Sequence, residues 1–331
     1  MRRLLTALAL LLAVGPAYAQ EATVDGGRIG QSPSEMPAPA PTELPDPNAL
    51  DPNRLAPSPV NDAYGAFQRG YYLTALNRAT PLALAGNPAA QTLIGEIYLQ
   101  GLGVRRDIAT ATEWYEKAAA QGVAEAQFQL GMIYLDGGEE FGDRKRAAEL
   151  LQQAADAGNR LAQFNFAQLL LSQDVTIKGE ERAVSYFEKA AKGGLADAQY
   201  AMAQVHREGA GGKAQDDAEV RRWLEQAASQ GHPAAQIDLG TMLAEALEAN
   251  SQKEGFSWLM RAAAAGNPAA QNRVAKLYRA GVGVEPDRVA AASWYLRARR
   301  AGLIDPLMED QLEGLTEAEL RLATLNSDRL Q

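Results

Sequence analysis

The chain has 331 residues, 47% hydrophobic and 22% charged, enough to bury a core as one large domain or two ordinary ones. It contains no cysteine, which excludes disulfides, an acyl-cysteine anchor and thiol chemistry. A formal net charge of −9 argues against nucleic acid and anionic membrane surfaces as partners.

The first element is a leader. Arg2 and Arg3 are followed by an apolar run from Leu4 to Val14 and by Ala17-Tyr18-Ala19, a small-x-small cleavage site. This predicts a signal peptide over residues 1–19 and a mature start at Gln20. The apolar run is too short to cross a bilayer, and no later run approaches the roughly 20 residues needed. The expectation is an exported chain without direct membrane insertion, in the periplasm or outside the cell. Losing the two arginines takes the formal charge from −9 to −11. Residues 20–60 hold nine of the sixteen prolines and few large apolar side chains, the composition of a disordered or polyproline-like tether. Residues 61–86 are expected to form a capping helix pair broken at Gly70, with Tyr64, Phe67, Tyr71, Tyr72 and Leu76 available to cover the next helices of the chain.

From residue 87 the chain repeats itself. AGNPAAQ at Ala85 to Gln91 returns at Ala265 to Gln271, and the Ala-Gln pair recurs at Gln91, Gln127, Gln163, Gln199, Gln236 and Gln271, in steps of 36, 36, 36, 37 and 35. The third residue after each glutamine is apolar (Ile94, Leu130, Phe166, Met202, Leu239, Val274), as is the sixth. The fourth is always Gly or Ala. These positions share one face of a helix, with a small residue admitting a close neighbour. About 23 residues after each glutamine stands a second apolar column, Trp114, Leu150, Tyr186, Trp223, Trp258 and Trp294, followed by paired alanines and a glycine, the end of a second helix. Seven residues before that column lie Asp107, Asp143, Gly179, Asp216, Ser251 and Asp287. All but the glycine are strong N-cap formers, and Ser251 to Glu254 spells a capping box. In the repeated stretch itself, Gly86 ends a helix, Asn87 caps the next and Pro88 occupies its first turn.

The columns resemble the Sel1-like repeat family, relatives of tetratricopeptide repeats. Unit one carries Ala90-Gln91, Ile94-Gly95, Tyr98, Gly101, Gly103-Val104, Asp107, Trp114-Tyr115, Lys117-Ala118-Ala119 and Gly122 in the family's order. The resemblance implies an all-α fold, an α/α solenoid of six helix pairs over residues 87–302, closed by a C-terminal cap over residues 303–331 that includes an amphipathic helix from Thr316. Units three, four and five lack the intact GxGV turn. The resemblance also implies a noncatalytic scaffold or adaptor whose partner is another protein, a periplasmic one or the ectodomain of a membrane protein, in a signalling or envelope complex.

Chemistry is sparse. Asp107, Asp143, Asp216 and Asp287 recur because caps are needed, and a catalytic pair has to differ from its repeat equivalents. His206 falls in a core column and His232 in an interhelix turn. GLGVRRD matches neither GxGxxG nor a P-loop, so catalytic residues, metal ligands and a cofactor are all expected to be absent. What remains is surface. The stripe one, five and eight residues after each glutamine carries Phe128, Met132, Phe164, Gln168, Tyr200 and Gln204 in the middle units, an amphipathic groove for a partner. The same stripe can instead pack helix against helix between units. Two further functions stay open at this point, a structural envelope protein near peptidoglycan and a hydrolase using solenoid-borne acids.

Overall fold

The punctuation of the sequence becomes the punctuation of the fold. The computed structural model describes residues 59–137 and 142–329; the expected signal peptide and nearly all of the expected tether lie outside them. Every regular element among these residues is helical. In chain order they are α1 (Pro59–Gln68), α2 (Tyr72–Leu84), α3 (Pro88–Gln100), α4 (Ile108–Ala119), α5 (Ala124–Asp136), α6 (Arg144–Asp156), α7 (Arg160–Gln173), α8 (Ile177–Lys192), α9 (Ala196–Glu208), α10 (Asp217–Ser229), α11 (Pro233–Ala244), α12 (Ala249–Ala264), α13 (Pro268–Ala280), α14 (Arg288–Arg300), α15 (Pro306–Glu313) and α16 (Glu317–Arg329). None is long and apolar enough to cross a membrane.

The chain divides into two units, residues 59–150 and 151–329. In the N-terminal unit α1 packs on α2, α2 on α3, α3 on α4 and α4 on α5. Its core holds Ala63, Ala75, Leu93, Ile94 and Ile97 at one end and Tyr115, Leu130 and Tyr134 at the other. In the C-terminal unit each helix from α7 to α14 packs on its neighbour, and α15 and α16 close on α14. Leu259, Val274, Trp294, Tyr295 and Met308 form a cluster there. Each unit is a run of stacked helix pairs, the arrangement of an α/α solenoid.

Each repeated residue has a physical task. The alanine of every Ala-Gln pair is fully buried. Every one of the six glutamines donates its side-chain amide to the carbonyl eight residues earlier, at 3.1–3.3 Å, from Gln91 onto Ala83 to Gln271 onto Ala263. Each of these carbonyls, at a helix end, already accepts from the glycine N–H three residues on; the glutamine adds a second bond and ties consecutive helices together. Gln199 also accepts from Gln230 at 2.7 Å. Gln199→Leu therefore removes one of two partners from the buried Ala191 carbonyl, which keeps the Gly194 N–H at 2.9 Å, and urea unfolding is expected to show a loss of about 1 kcal/mol. The small column is equally explained: a Cβ on Gly95 would lie 2.8 Å from the Tyr115 ring, and one on Gly240 would lie 2.7 Å from Leu259 Cγ.

Asp107, Asp143, Asp216 and Asp287 accept backbone N–H bonds at the starts of α4, α6, α10 and α14, as caps should. Two expected starts are corrected. Thr176, not Gly179, caps α8, its Oγ1 accepting from Gly179 N at 3.1 Å. Ser251 forms no capping box: α12 begins at Ala249, so Ser251 sits inside the helix, with Glu248 at the N-cap position making no side-chain bond. Both helices have 16 residues where α6, α10 and α14 have 13, about one turn more, so counting back a fixed distance from the aromatic column falls short of their start. Unit four keeps the turn geometry without the GxGV letters. Gly209 is its left-handed cap, and Gly211 carries the close approach, 2.8 Å from its Cβ position to Val184 Cβ.

Glu188 on α8 meets Lys192 at 2.7 Å and Lys213 at 2.8 Å. Hydrogen bonds from these two lysines hold its carboxyl down at about 2, against an ordinary value of 4.5. A depressed carboxyl stabilises the fold above its unfolded value and loses that contribution as pH falls through the folded one. Glu188→Gln is expected to lower stability by about 1 kcal/mol near pH 6, solvent screening included. The gap between variant and parent then closes as thermal melts are taken from pH 4.5 down to about 2.

Candidate protein-binding face

The first helix of each pair presents the stripe in which a partner site was expected. In the C-terminal unit α7, α9, α11 and α13 supply it. The α11 N-cap is His232, whose Nδ1 accepts from Ala235 N at 3.1 Å, the task that Asn87, Asn159 and Asn267 perform elsewhere. Its Nε2 lies 3.4 Å from Asp197 Oδ1, and its ring stacks on Tyr200 with centroids 4.7 Å apart and planes 23° apart. Tyr200 then reaches the next repeat, donating its hydroxyl to Asp238 Oδ2 at 3.3 Å. The same oxygen accepts from Gln204 at 3.2 Å and from Arg207 at 2.8 Å, while Arg207 also donates to Gln204 Oε1 at 3.0 Å. Burial, then the neighbouring Asp238 charge, pushes the Tyr200 hydroxyl up to about 12, so it stays a donor at neutral pH. Farther along, Arg273 donates to the Thr241 hydroxyl, and Asn272 and Lys276 both meet Asp305, at 2.8 and 2.5 Å.

The structure distributes the six expected groove residues unevenly. Gln204 is buried. Tyr200 and Gln204 come together on Asp238, so these two make a helix-to-helix contact between successive repeats. Phe164 is half-buried, its ring 5.5 Å from Phe187 at 60°, and Gln168 is half-buried beside it on α7. In the N-terminal unit, Phe128 is buried at 7% exposure and Met132 half-buried. Arg207 stands at the eighth position of the expected stripe; sequence reasoning missed Asp238, the acid on which Tyr200, Gln204 and Arg207 converge. A signal was present: two residues after the glutamine the column runs Leu93, Gln129, Asn165, Ala201, then turns charged at Asp238 and Arg273. An arginine whose charge is already matched by Asp238 and whose side chain remains 38% exposed can present its remaining N–H groups to a partner's carbonyl or carboxylate oxygen.

Nothing in the arrangement assembles a nucleophile. His206 Nε2 lies 3.9 Å from Glu219, His232 is engaged as a cap, and the repeated aspartates are held by backbone N–H groups. Glu96 is the one acid at its repeat position, its carboxyl raised by burial, and it accepts from the Tyr115 hydroxyl at 2.8 Å. Among the described residues no group of three or more His, Asp or Glu side chains is placed to hold a metal ion.

Comparison with known proteins places this architecture. The chain resembles a protective antigen of uropathogenic Escherichia coli with an SLR fold, at 26% identity and a TM-score of 0.63 over 78% of this chain. It spans 64% of that protein's length. It also resembles a Sel1 repeat protein from Oxalobacter formigenes, at 30% identity and a TM-score of 0.59, over 73% of this chain and 69% of that one. A comparison with curated proteins gave no match. The Sel1 repeat profile matches six times, at residues 88–123, 124–159, 161–195, 196–232, 233–267 and 268–303. The helix pairs, the Ala-Gln register and these six matches together make the chain a member of the Sel1 repeat family.

Proposed function

We propose that this protein is a noncatalytic scaffold or adaptor of the bacterial periplasm, binding another envelope protein or a membrane-protein ectodomain and regulating the complex it joins. Sel1 repeat proteins generally mediate protein–protein interactions and typically are not enzymes. The observation that carries the finer reading is the cluster of Tyr200, Gln204, Arg207 and Asp238, which forms a polar contact between successive repeats and leaves a charge-matched arginine half exposed. The leader expected at residues 1–19 supports export, and the absence of cysteine suits a chain whose stability comes from packing alone.

The test is in-cell cross-linking in the native envelope, comparing the full chain with the double variant Gln168→Ala, Arg207→Ala. Both side chains are partly exposed and neither belongs to the buried core. One dominant protein captured by the parent and lost in the variant supports the adaptor reading and maps it. Recovery of peptidoglycan alone, unchanged by the variant, transfers the protein to a structural role in the wall.

A further inference from the structure

Charge is segregated at the end of the chain. The sixth repeat, residues 268–303, carries seven basic side chains against two acidic ones, in a protein whose formal net charge is −9. The residues after it, 304–331, carry seven acidic against two basic. The structure sets the one on the other. Lys276 pairs with Asp305 at 2.5 Å, Arg299 with Glu309 at 3.0 Å, Arg300 with Asp328 at 2.7 Å and Arg288 with Glu319 at 4.0 Å. Arg288 also donates to the Gly314 carbonyl at 2.5 Å, and Arg300 to the Ser327 hydroxyl at 3.0 Å.

The apolar part of this contact is thin. Met308, Ala323 and Ser327 are the buried side chains of α15 and α16, with Leu312 partly covered. Ile304, Leu322 and Leu325 remain 73%, 49% and 56% exposed. The leucines of the last helix therefore face away from the repeat, and its inward stripe of Glu319, Ala323 and Ser327 is small and polar. A terminal helix that contributed mainly hydrophobic cover would have the opposite orientation. The four basic partners keep 41–58% of their side chains exposed and their acidic partners 14–57%, so solvent and salt reach every pair, Arg300–Asp328 most and Lys276–Asp305 least.

We infer that residues 304–329 form a releasable acidic latch, and that the basic face of the sixth repeat beneath it is a docking site for an acidic amphipathic helix, filled in cis by the chain's own tail. An acidic helix of the partner protein exchanges with it. The partner class rests on the protein-binding function proposed for the chain; the latch does not. Where a site is occupied internally, the apparent affinity for an outside ligand falls in proportion to the fraction left open.

The experiment uses the full chain and a full-length variant, Asp305→Asn, Glu309→Gln, Glu319→Gln, Asp328→Asn. These changes remove charge and keep shape: Asn caps a helix as Asp does, and Gln serves in the Thr316–Glu319 capping box. Hydrogen exchange is followed by mass spectrometry, and the outside ligand is a labelled peptide of native sequence 304–331. In the parent, amides of α15 and α16 are expected to exchange roughly tenfold faster at about 0.5 M than at about 0.02 M salt, with α13 and α14 unchanged. In the variant they exchange fast at both. The peptide is expected to bind the variant at least about tenfold more tightly than the parent at low salt. Tail protection indifferent to both salt and neutralisation overturns the latch. A loosened tail with no peptide binding, or equal binding of a scrambled peptide of the same charge, overturns the docking site. Neither outcome bears on the Gln168/Arg207 cross-linking result, so the two readings fail separately.

Discussion

Gly283→Ala is expected to destabilise the C-terminal unit by about 2–5 kcal/mol, the sum of left-handed backbone strain and overpacking. Gly283 has φ +70° in the turn between α13 and α14, where any side chain is strained. Space fails as well. The new Cβ would stand 2.6 Å from the carbonyl carbon of Gln252 and 3.0 Å from the nitrogen of Lys253, inside contact with the backbone at the start of α12. Backbone in a packed helix does not yield as a side-chain tip does. Gly266 provides the internal control: its φ is +91°, but nothing lies within 4 Å of the Cβ position. Gly266→Ala is therefore expected to carry strain alone, about 1–2 kcal/mol. Urea unfolding of both variants checks the order. Equal losses would mean that the second glycine of the GxGV turn is there for backbone conformation only, and that the turn does not seat on the preceding helix pair.

Much of the fold was legible because its signals are local. Asn87-Pro88 and Asn267-Pro268 write a cap and a first turn within two residues, and a glycine after paired alanines ends a helix whatever surrounds it. The same pairing of a cap with a first-turn proline stands at Asp305-Pro306, which starts α15, a helix the repeat columns did not predict because the repeat register ends there. Boundaries measured from a distant landmark failed: Gly179 and Ser251 were placed by counting back from the aromatic column, and α8 and α12 are each a turn longer than that count allows. The binding stripe was legible as a column but not as a contact. That Tyr200, Gln204 and Arg207 converge on Asp238 depends on which turn of α9 faces which turn of α11, a relation that one helix's periodicity does not contain. The clasp of the tail on the sixth repeat was written in composition as opposite charge excess, but only the packing shows which ends meet.

Phe187→Ala is expected to cost about 3–5 kcal/mol, and the result bears directly on how the stripe is interpreted. Phe187 is fully buried on α8, and it supports the half-buried Phe164 ring on α7 from 5.5 Å. Phe164→Ser removes only a partly covered ring, so its expected cost is smaller, about 1–2 kcal/mol. If Phe164→Ser destabilises as much as Phe187→Ala, the ring is core, and loss of partner binding in that variant would report unfolding. If the smaller cost is found and binding is lost at a temperature where the variant remains folded by circular dichroism, Phe164 belongs to the docking face. The same comparison separates the two roles of Tyr200. Tyr200→Phe keeps the ring against His232 and removes only the hydroxyl that Asp238 accepts. A binding defect there, with stability within about 1 kcal/mol of the parent, assigns the polar cluster rather than the aromatic packing to the partner.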